Sequence, residues 1–191
     1  MASPRDPVLR AGAAMPDFEL PDVTTKRAVR ASDFAASKAL LVAFICNHCP
    51  YVVHVRTSFV ALAAAQQPRG LAVVAISAND PTTHPDDAPE MMAREAARSH
   101  FPFPYLFDET QQTAKAFGAA CTPEFFLFDS GRHLVYHGRY DGTRPGGAPA
   151  TGDELAAAIA ATLSARSTAA DQKPAVGCSI KWRAGNAPQY V

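Results

Sequence analysis

A Cys-x-x-Cys motif at the end of an apolar run constrains this chain more than any other feature. Residues 39–45 are continuously apolar, which is typical of a strand buried on both faces. Cys46 and Cys49 follow, and Pro50 falls in the first turn of a helix predicted over 50–66, where a missing N–H costs nothing. The partial positive charge of a helix N-terminus favours a thiolate over a thiol. The sequence therefore predicts a redox-active cysteine pair between a buried strand and a helix.

The composition is that of an ordinary globular protein. Of the 191 residues, 48% are hydrophobic and 19% are charged, which suits one domain with a real core. The 18 lysines and arginines balance the 18 acidic residues, so no net field favours nucleic acid or a membrane surface. No apolar run approaches the roughly 18 residues of a membrane span. The N-terminus lacks the apolar segment of a secretory signal, so we expect a cytoplasmic protein whose four cysteines serve redox or metal chemistry.

Predicted strands and helices alternate along the chain, which indicates an α/β fold with a mixed central sheet flanked by helices. After the helix at 50–66, the patterns predict a strand at 71–76, a helix from 87 to about 98, a strand at 103–107, a helix at 110–118, a hairpin of 124–129 with 133–137, and a final helix from 151. The helix from 87 rests on a capping box, because Asp87 and Glu90 stand three residues apart.

The chain is predicted to be one domain with an extension at each end. Residues 1–14 read as a loose lead-in, residues 15–165 as the domain, which opens with a short N-terminal hairpin, and residues 166–191 as an irregular polar C-terminal tail. Chain ends are usually loosely held, so one expectation is a tail docked loosely on the surface. The other is that the tail folds back and offers Cys178 as an additional resolving thiol.

The two motif cysteines receive different predicted roles. Cys46 is the predicted attacking thiol, because it comes first and lies nearer the exposed loop. Cys49, one turn into the helix, then resolves the mixed disulfide. His48 adds a titratable positive charge beside both sulfurs, which would lower the thiolate pKa and make the disulfide more oxidising. The alternatives without redox chemistry are two buried structural cysteines or half of a zinc site. The zinc site would need a second close pair of cysteines, which the sequence lacks.

The motif followed by Thr122-Pro123 at the start of a later strand resembles the thioredoxin superfamily. This resemblance implies a thioredoxin-like fold in which Pro123 follows a cis peptide bond and faces the cysteine pair. Such a bend would leave the Thr122 backbone free to pair with an incoming peptide strand, which makes Thr122 and Pro123 the predicted substrate-binding residues. Where thioredoxin carries a buried acid, this chain has Leu40.

Four further motifs narrow the resemblance. They are Met15-Pro-Asp-Phe-Glu-Leu, Phe101-Pro-Phe-Pro-Tyr-Leu-Phe-Asp-Glu-Thr-Gln, Cys121-Thr-Pro-Glu-Phe-Phe-Leu-Phe-Asp and Gly177-Cys-Ser-Ile-Lys-Trp. Together they resemble the peroxiredoxin-like redoxins, the alkyl hydroperoxide reductase and thiol-specific antioxidant-like branch of the superfamily, over about residues 12–183.

The peroxiredoxin signature itself is incomplete. Peroxiredoxins carry Pro-x-x-x-Thr-x-x-Cys, and with Cys49 aligned the threonine and proline positions hold Cys46 and Val42. With Cys46 aligned, they hold alanines. The arginine that activates the peroxide would fall near Cys121, where the sequence has none. Fast attack on a peroxide therefore loses electrostatic support, and a thiol-dependent peroxidase is an alternative only.

The remaining candidates carry less weight. Cys121 is either a third redox thiol or a core residue, and four cysteines allow three full pairings. His54 with the two motif cysteines suggests a soft-metal carrier, for copper or zinc, as a second alternative. Glu124 and His137 are expected to be solvated. The main prediction is a thiol–disulfide oxidoreductase without metal or cofactor that acts on protein or small-molecule thiols and disulfides, its oligomeric state being open.

Overall fold

The computed structural model describes residues 8–191, so residues 1–7 of the predicted lead-in lie outside the described residues. Within that range the strands are β1 (Glu19–Pro21), β2 (Ala28–Arg30), β3 (Ala39–Phe44), β4 (Leu71–Ser77), β5 (Tyr105–Phe107), β6 (Cys121–Thr122), β7 (Glu124–Phe128), β8 (Leu134–Gly138) and β9 (Cys178–Ser179). The helices are α1 (Pro50–Gln66), α2 (Pro89–Arg98), α3 (Gln112–Phe117) and α4 (Asp153–Leu163). None of these described helices is long and apolar enough to cross a membrane.

The central sheet has five strands in the order β5-β4-β3-β7-β8. β3 pairs in parallel with β4 and antiparallel with β7, so Leu41 lies between Val73 and Leu127. Every residue of β3 is buried, because its continuous apolar sequence packs on both faces. This confirms the predicted mixed sheet and places the end of β3, where the cysteine motif begins, in the middle of the fold.

Helices cover both faces of this sheet, since alternate residues of β3 point to opposite sides. On one side Leu41 belongs to a cluster with Phe59 of α1 and Ile159 of α4. On the other side Leu40 packs in a second cluster with Phe117 of α3. The flanking helices predicted from the sequence are therefore confirmed, and β1 and β2 form the predicted N-terminal hairpin.

Helix α2 begins differently from the prediction. Its N-cap residue is Ala88, no side chain caps it, and Asp87 lies in a preceding 3-10 turn. The Asp87 side chain is fully buried and bonds the segment after β3 instead. The capping-box assignment is therefore wrong, because the spacing of Asp87 and Glu90 carries no information about partners that are distant in sequence.

The C-terminal tail is held firmly against the domain. β9 pairs antiparallel with β6, and the N–H of Ile180 donates to the Ala120 carbonyl at 3.0 Å. The side chain of Ile180 is 3% exposed in the second core cluster. The Lys181 carbonyl accepts from the N–H of Asp80 at 2.8 Å. The tail is therefore docked, as expected, and it folds back onto β6, but it is not loosely held, because it supplies both core surface and strand hydrogen bonds.

Candidate active site

The cysteine pair lies between β3 and α1, as predicted. Cys49 is the N-cap residue of α1, with φ −63° and ψ 122°, so its sulfur stands at the positive end of the helix. Cys46 is 2% exposed and Cys49 is 0% exposed, so the expectation that Cys46 lies near an exposed loop is wrong. A disulfide between Cys46 and Cys49 would therefore be buried.

The Thr122–Pro123 peptide bond is cis, as the thioredoxin resemblance implies. Thr122 contacts both sulfurs. Its hydroxyl oxygen lies 3.3 Å from the Cys46 sulfur, and its carbonyl oxygen lies 3.1 Å from the Cys49 sulfur, where it accepts a hydrogen bond from a protonated thiol. The sequence prediction that this segment faces the cysteine pair is therefore confirmed.

The Thr122 backbone, however, is already paired. β9 brings Cys178 opposite Thr122 in an antiparallel register. Gly177 approaches so closely that a Cβ there would lie 1.9 Å from the Thr122 carbonyl oxygen. The prediction of a free edge for an incoming peptide is wrong, because the chain's own tail occupies it.

Apart from the Thr122 carbonyl, which accepts from a Cys49 thiol, the groups around the pair are donors that favour the negative charge of the reduced site on Cys49. Donation by the Cys46 thiol lowers the pKa of Cys49 to about 4, and the thiol and N–H of Cys178 and the N–H of Val52 act in the same direction. The same Cys46–Cys49 hydrogen bond, followed by burial, raises the pKa of Cys46. These directions are opposite to the sequence-based choice of Cys46 as the attacking thiol, because sequence order does not reveal which sulfur the donors face.

Asp87 is a buried carboxylate that the sequence analysis did not place in the site. Its Oδ1 accepts a hydrogen bond from the Asn47 N–H at 2.7 Å. Its Oδ2 accepts from the Asn79 amide at 2.7 Å and lies 2.6 Å from Nδ1 of His48. His48 is therefore bonded to a buried acid, with a ring nitrogen within 4.8 Å of the Cys46 sulfur. Asp87 also opposes a thiolate on Cys46, after the hydrogen bond from Cys49 and burial.

Cys121 lies in a different environment from the other three cysteines. Burial, followed by the nearby Glu124 carboxylate, raises the pKa of Cys121 well above that of a free thiol. Glu124 is 5% exposed, accepts from the N–H of Ala120 at 2.8 Å and lies 2.6 Å from Nε2 of His137. The expectation that Glu124 is solvated is therefore wrong, and His137, which is partly exposed, is paired with it.

Soft-metal binding through His54 loses its geometric basis. Nε2 of His54 lies 2.8 Å from the hydroxyl of Thr143, so this ring is engaged away from the motif. A different group, Cys46, His48 and Asp87, brings its ligand atoms within 4.8 Å of one another. Asp87 bonds His48 and the amides of Asn47 and Asn79, and the Cys46 sulfur contacts the Thr122 hydroxyl, so each member of this group has a hydrogen-bonding partner.

A dithiol at the N-terminus of a helix, opposite a cis proline at the end of a mixed sheet, defines a redoxin of the thioredoxin-fold class. The chain belongs to the AhpC/TSA family, which matches residues 11–137. The resemblance to the peroxiredoxin-like redoxins inferred from the sequence motifs is thereby confirmed. No curated protein matches the sequence.

Solved structures of similar proteins extend over nearly the whole chain. A hypothetical protein from Sinorhizobium meliloti 1021 is 45% identical, with a TM-score of 0.90, over 93% of this chain and 97% of that one. An uncharacterized conserved protein from Geobacillus kaustophilus is 43% identical, with a TM-score of 0.89, over 96% and 98%. A thiol:disulfide interchange protein of the thioredoxin family from Chlorobium tepidum TLS, at 17% identity and a TM-score of 0.61 over 81% and 97%, shares the fold.

Proposed function

We propose that the protein is a thiol–disulfide oxidoreductase that cycles Cys46 and Cys49 between dithiol and disulfide with protein or small-molecule thiols. The observation that carries the proposal is the position of two free thiols at the N-terminus of α1, both in contact with Thr122 of the cis Thr122–Pro123 bond. A stabilised thiolate beside a protonated thiol is the arrangement that exchange chemistry needs. A reducing, cytoplasmic setting belongs to the same proposal, since it would return the pair to the dithiol form.

The roles of the two cysteines follow from the donors around them. Cys49 carries the charge, so its thiolate attacks a substrate disulfide, forms a mixed disulfide and releases one substrate thiolate. Cys46 then gives up its proton and attacks the Cys49 sulfur, which closes the Cys46–Cys49 disulfide and expels the second substrate thiolate. His48 and Asp87 lie beside Cys46 and set the charge around this second attack.

The direct test is differential alkylation followed by mass spectrometry. Protein treated with oxidised glutathione, then acid-quenched, denatured and alkylated, is expected to lose two reactive thiols, which map to one Cys46–Cys49 disulfide. Dithiothreitol should restore both. Cys46→Ser serves as the matched variant. Without the Cys46 thiol, Cys49 should remain as a mixed disulfide with glutathione or form a disulfide with another cysteine. Full labelling of both cysteines in the wild-type protein under oxidation would overturn the proposed function.

A thiol-dependent peroxidase is a second candidate, favoured by the membership in the AhpC/TSA family and by the low pKa of Cys49 directly before Pro50. In this register Cys46 occupies the position of the peroxiredoxin threonine, and its thiol donates to the Cys49 sulfur. A stoichiometric pulse of hydrogen peroxide, trapped with a sulfenic-acid probe, distinguishes the candidates. Formation of a Cys49 sulfenic acid within seconds supports the peroxidase. If peroxide oxidises the cysteines slowly and only disulfides oxidise them quickly, the result supports thiol–disulfide exchange alone.

A further inference from the structure

The three sulfurs that meet at the site differ in their access to solvent. Cys46 and Cys49 are 2% and 0% exposed, whereas Cys178 is only partly buried. Disulfide exchange requires direct contact of the attacking and attacked sulfurs. A folded protein partner cannot place a sulfur against Cys49 while the C-terminal tail covers it. Cys178 is therefore the sulfur of this group that an outside partner meets first.

The tail lies in the position expected for a bound substrate strand. β9 runs antiparallel to the segment before the cis proline, with Cys178 directly opposite Thr122. The close approach of Gly177 to the Thr122 carbonyl leaves no room for a side chain between the two strands. Cys178 also packs against the core cluster that contains both motif cysteines. Its sulfur thus stands where the sulfur of a paired peptide would stand.

We propose that Cys178 is a third redox thiol, which carries the disulfide from the buried pair to protein dithiols outside, with the tail strand acting as a tethered substrate. This inference rests on the proposed function, because it needs a Cys46–Cys49 disulfide to receive. It adds a substrate class, protein dithiols, and a route by which they reach a site that is otherwise closed to them.

The transfer balances as two successive exchanges. The Cys178 thiolate attacks the Cys49 sulfur of the Cys46–Cys49 disulfide, so a Cys49–Cys178 bond forms, the Cys46–Cys49 bond breaks, and Cys46 leaves with the electron pair and takes a proton. One thiol of the external dithiol then attacks the Cys178 sulfur and releases Cys49 as a thiolate. The second external thiol attacks the first external sulfur, which frees Cys178 as a thiol and leaves the partner as a disulfide.

The electrostatics of the reduced site favour the protonated thiol of Cys178. Burial, followed by the hydrogen bond to Cys49 and the charge of Cys49, raises the pKa of Cys178 to about 11. Oxidation of Cys49 to a disulfide removes that charge and that hydrogen bond. Cys178 then deprotonates more readily, at the stage when the transfer requires its thiolate.

The first test uses Cys46→Ser, which removes the competing resolving thiol. After treatment with oxidised glutathione, peptide mapping is expected to find a Cys49–Cys178 disulfide and little glutathione on Cys49. Persistence of the Cys49–glutathione adduct would overturn this inference, even where the wild-type protein still forms the Cys46–Cys49 disulfide. Absence of the Cys46–Cys49 disulfide in the wild-type protein would instead overturn the proposed function.

The second test measures reduction of the wild-type disulfide by two donors, thioredoxin as a protein dithiol and dithiothreitol as a small one. Cys178→Ser is expected to slow reduction by thioredoxin at least about tenfold, while reduction by dithiothreitol changes less. Ser179→Ala is the matched control, since its exposed side chain lies on the same strand and both rates should stay near those of the wild-type protein. Equal thioredoxin rates for Cys178→Ser and the wild-type protein would refute the transfer through Cys178.

Discussion

Gly177→Ala is the most discriminating single change that the structure offers, because it acts on the tail without altering a sulfur. The new Cβ would lie 1.9 Å from the Thr122 carbonyl oxygen and 2.6 Å from the Thr122 carbonyl carbon. Both are backbone atoms, so no side-chain rotation relieves the overlap. Ordinary contact begins near 3.4 Å, and the tail strand must therefore move by about 1.5 Å.

Such a movement breaks the short ladder that holds β9. A displacement of this size stretches the 3.0 Å bond from the Ile180 N–H to the Ala120 carbonyl beyond hydrogen-bonding range. The same movement disrupts the β6–β9 ladder where Cys178 pairs with Thr122. Each lost hydrogen bond costs about 1 kcal/mol, so the loss of the Ile180 bond and of one ladder bond destabilises the docked tail by about 2 kcal/mol. Since 1.4 kcal/mol corresponds to a factor of ten, the population with an open tail should rise about 30-fold.

The measurement is the rate at which iodoacetamide alkylates Cys49 in the native protein, followed by mass spectrometry. When opening precedes alkylation, the rate follows the open population, so we expect an increase of about 30-fold in Gly177→Ala. Gly142→Ala is the matched control, because its Cβ would meet its nearest neighbour at 3.4 Å and needs no unusual backbone angle. An unchanged Cys49 rate in a folded Gly177→Ala protein would show that the tail does not cover the site.

Three further changes test the electrostatics of the site. Since the pKa of Cys49 is lowered to about 4, its alkylation rate should stay flat from pH 8 to about pH 5 and fall at lower pH. Cys46→Ala removes the donor that lowers this pKa most, so the midpoint of the alkylation pH profile should move upward. Asp87→Asn removes a charge that raises the pKa of Cys46, so closure of the disulfide at pH 7 should accelerate, with about tenfold more Cys46 thiolate for each unit that the pKa falls. Glu124→Gln breaks the pair between the buried Glu124 and the partly exposed His137 and should lower the free energy of unfolding in urea by about 1–3 kcal/mol.

Each of these three expectations has a result that contradicts it. An alkylation midpoint near that of a free thiol would mean that the donors do not stabilise a Cys49 thiolate. Closure that is slower in Asp87→Asn, with His48 still in place, would mean that the carboxylate helps the second attack. Stability of Glu124→Gln equal to that of the wild-type protein would mean that the pair with His137 is solvated in solution.

The cysteine pair at the helix N-terminus could be predicted from the sequence, whereas the pairing of the C-terminal strand β9 over it could not. The apolar run of β3 and the motif after it fix a cysteine pair at a helix N-terminus, since both signals lie within a dozen residues. The role of Asp87 in the site was not predicted, because its spacing to Glu90 also fits an ordinary helix N-cap. The pairing of Cys178 with Thr122 joins residues far apart in the sequence, and a two-residue strand has no periodicity from which to predict its partner.

Cys178 lowers the pKa of Cys49, and this effect connects tail docking to the reduction potential of the pair. A docked tail stabilises the thiolate, which exists only in the dithiol form, so docking makes the disulfide easier to reduce. Thermodynamic reciprocity then requires that oxidation loosen the tail by the same free energy. A molecule that captured residues near 178 would turn the pair into a stronger electron donor without touching either motif cysteine.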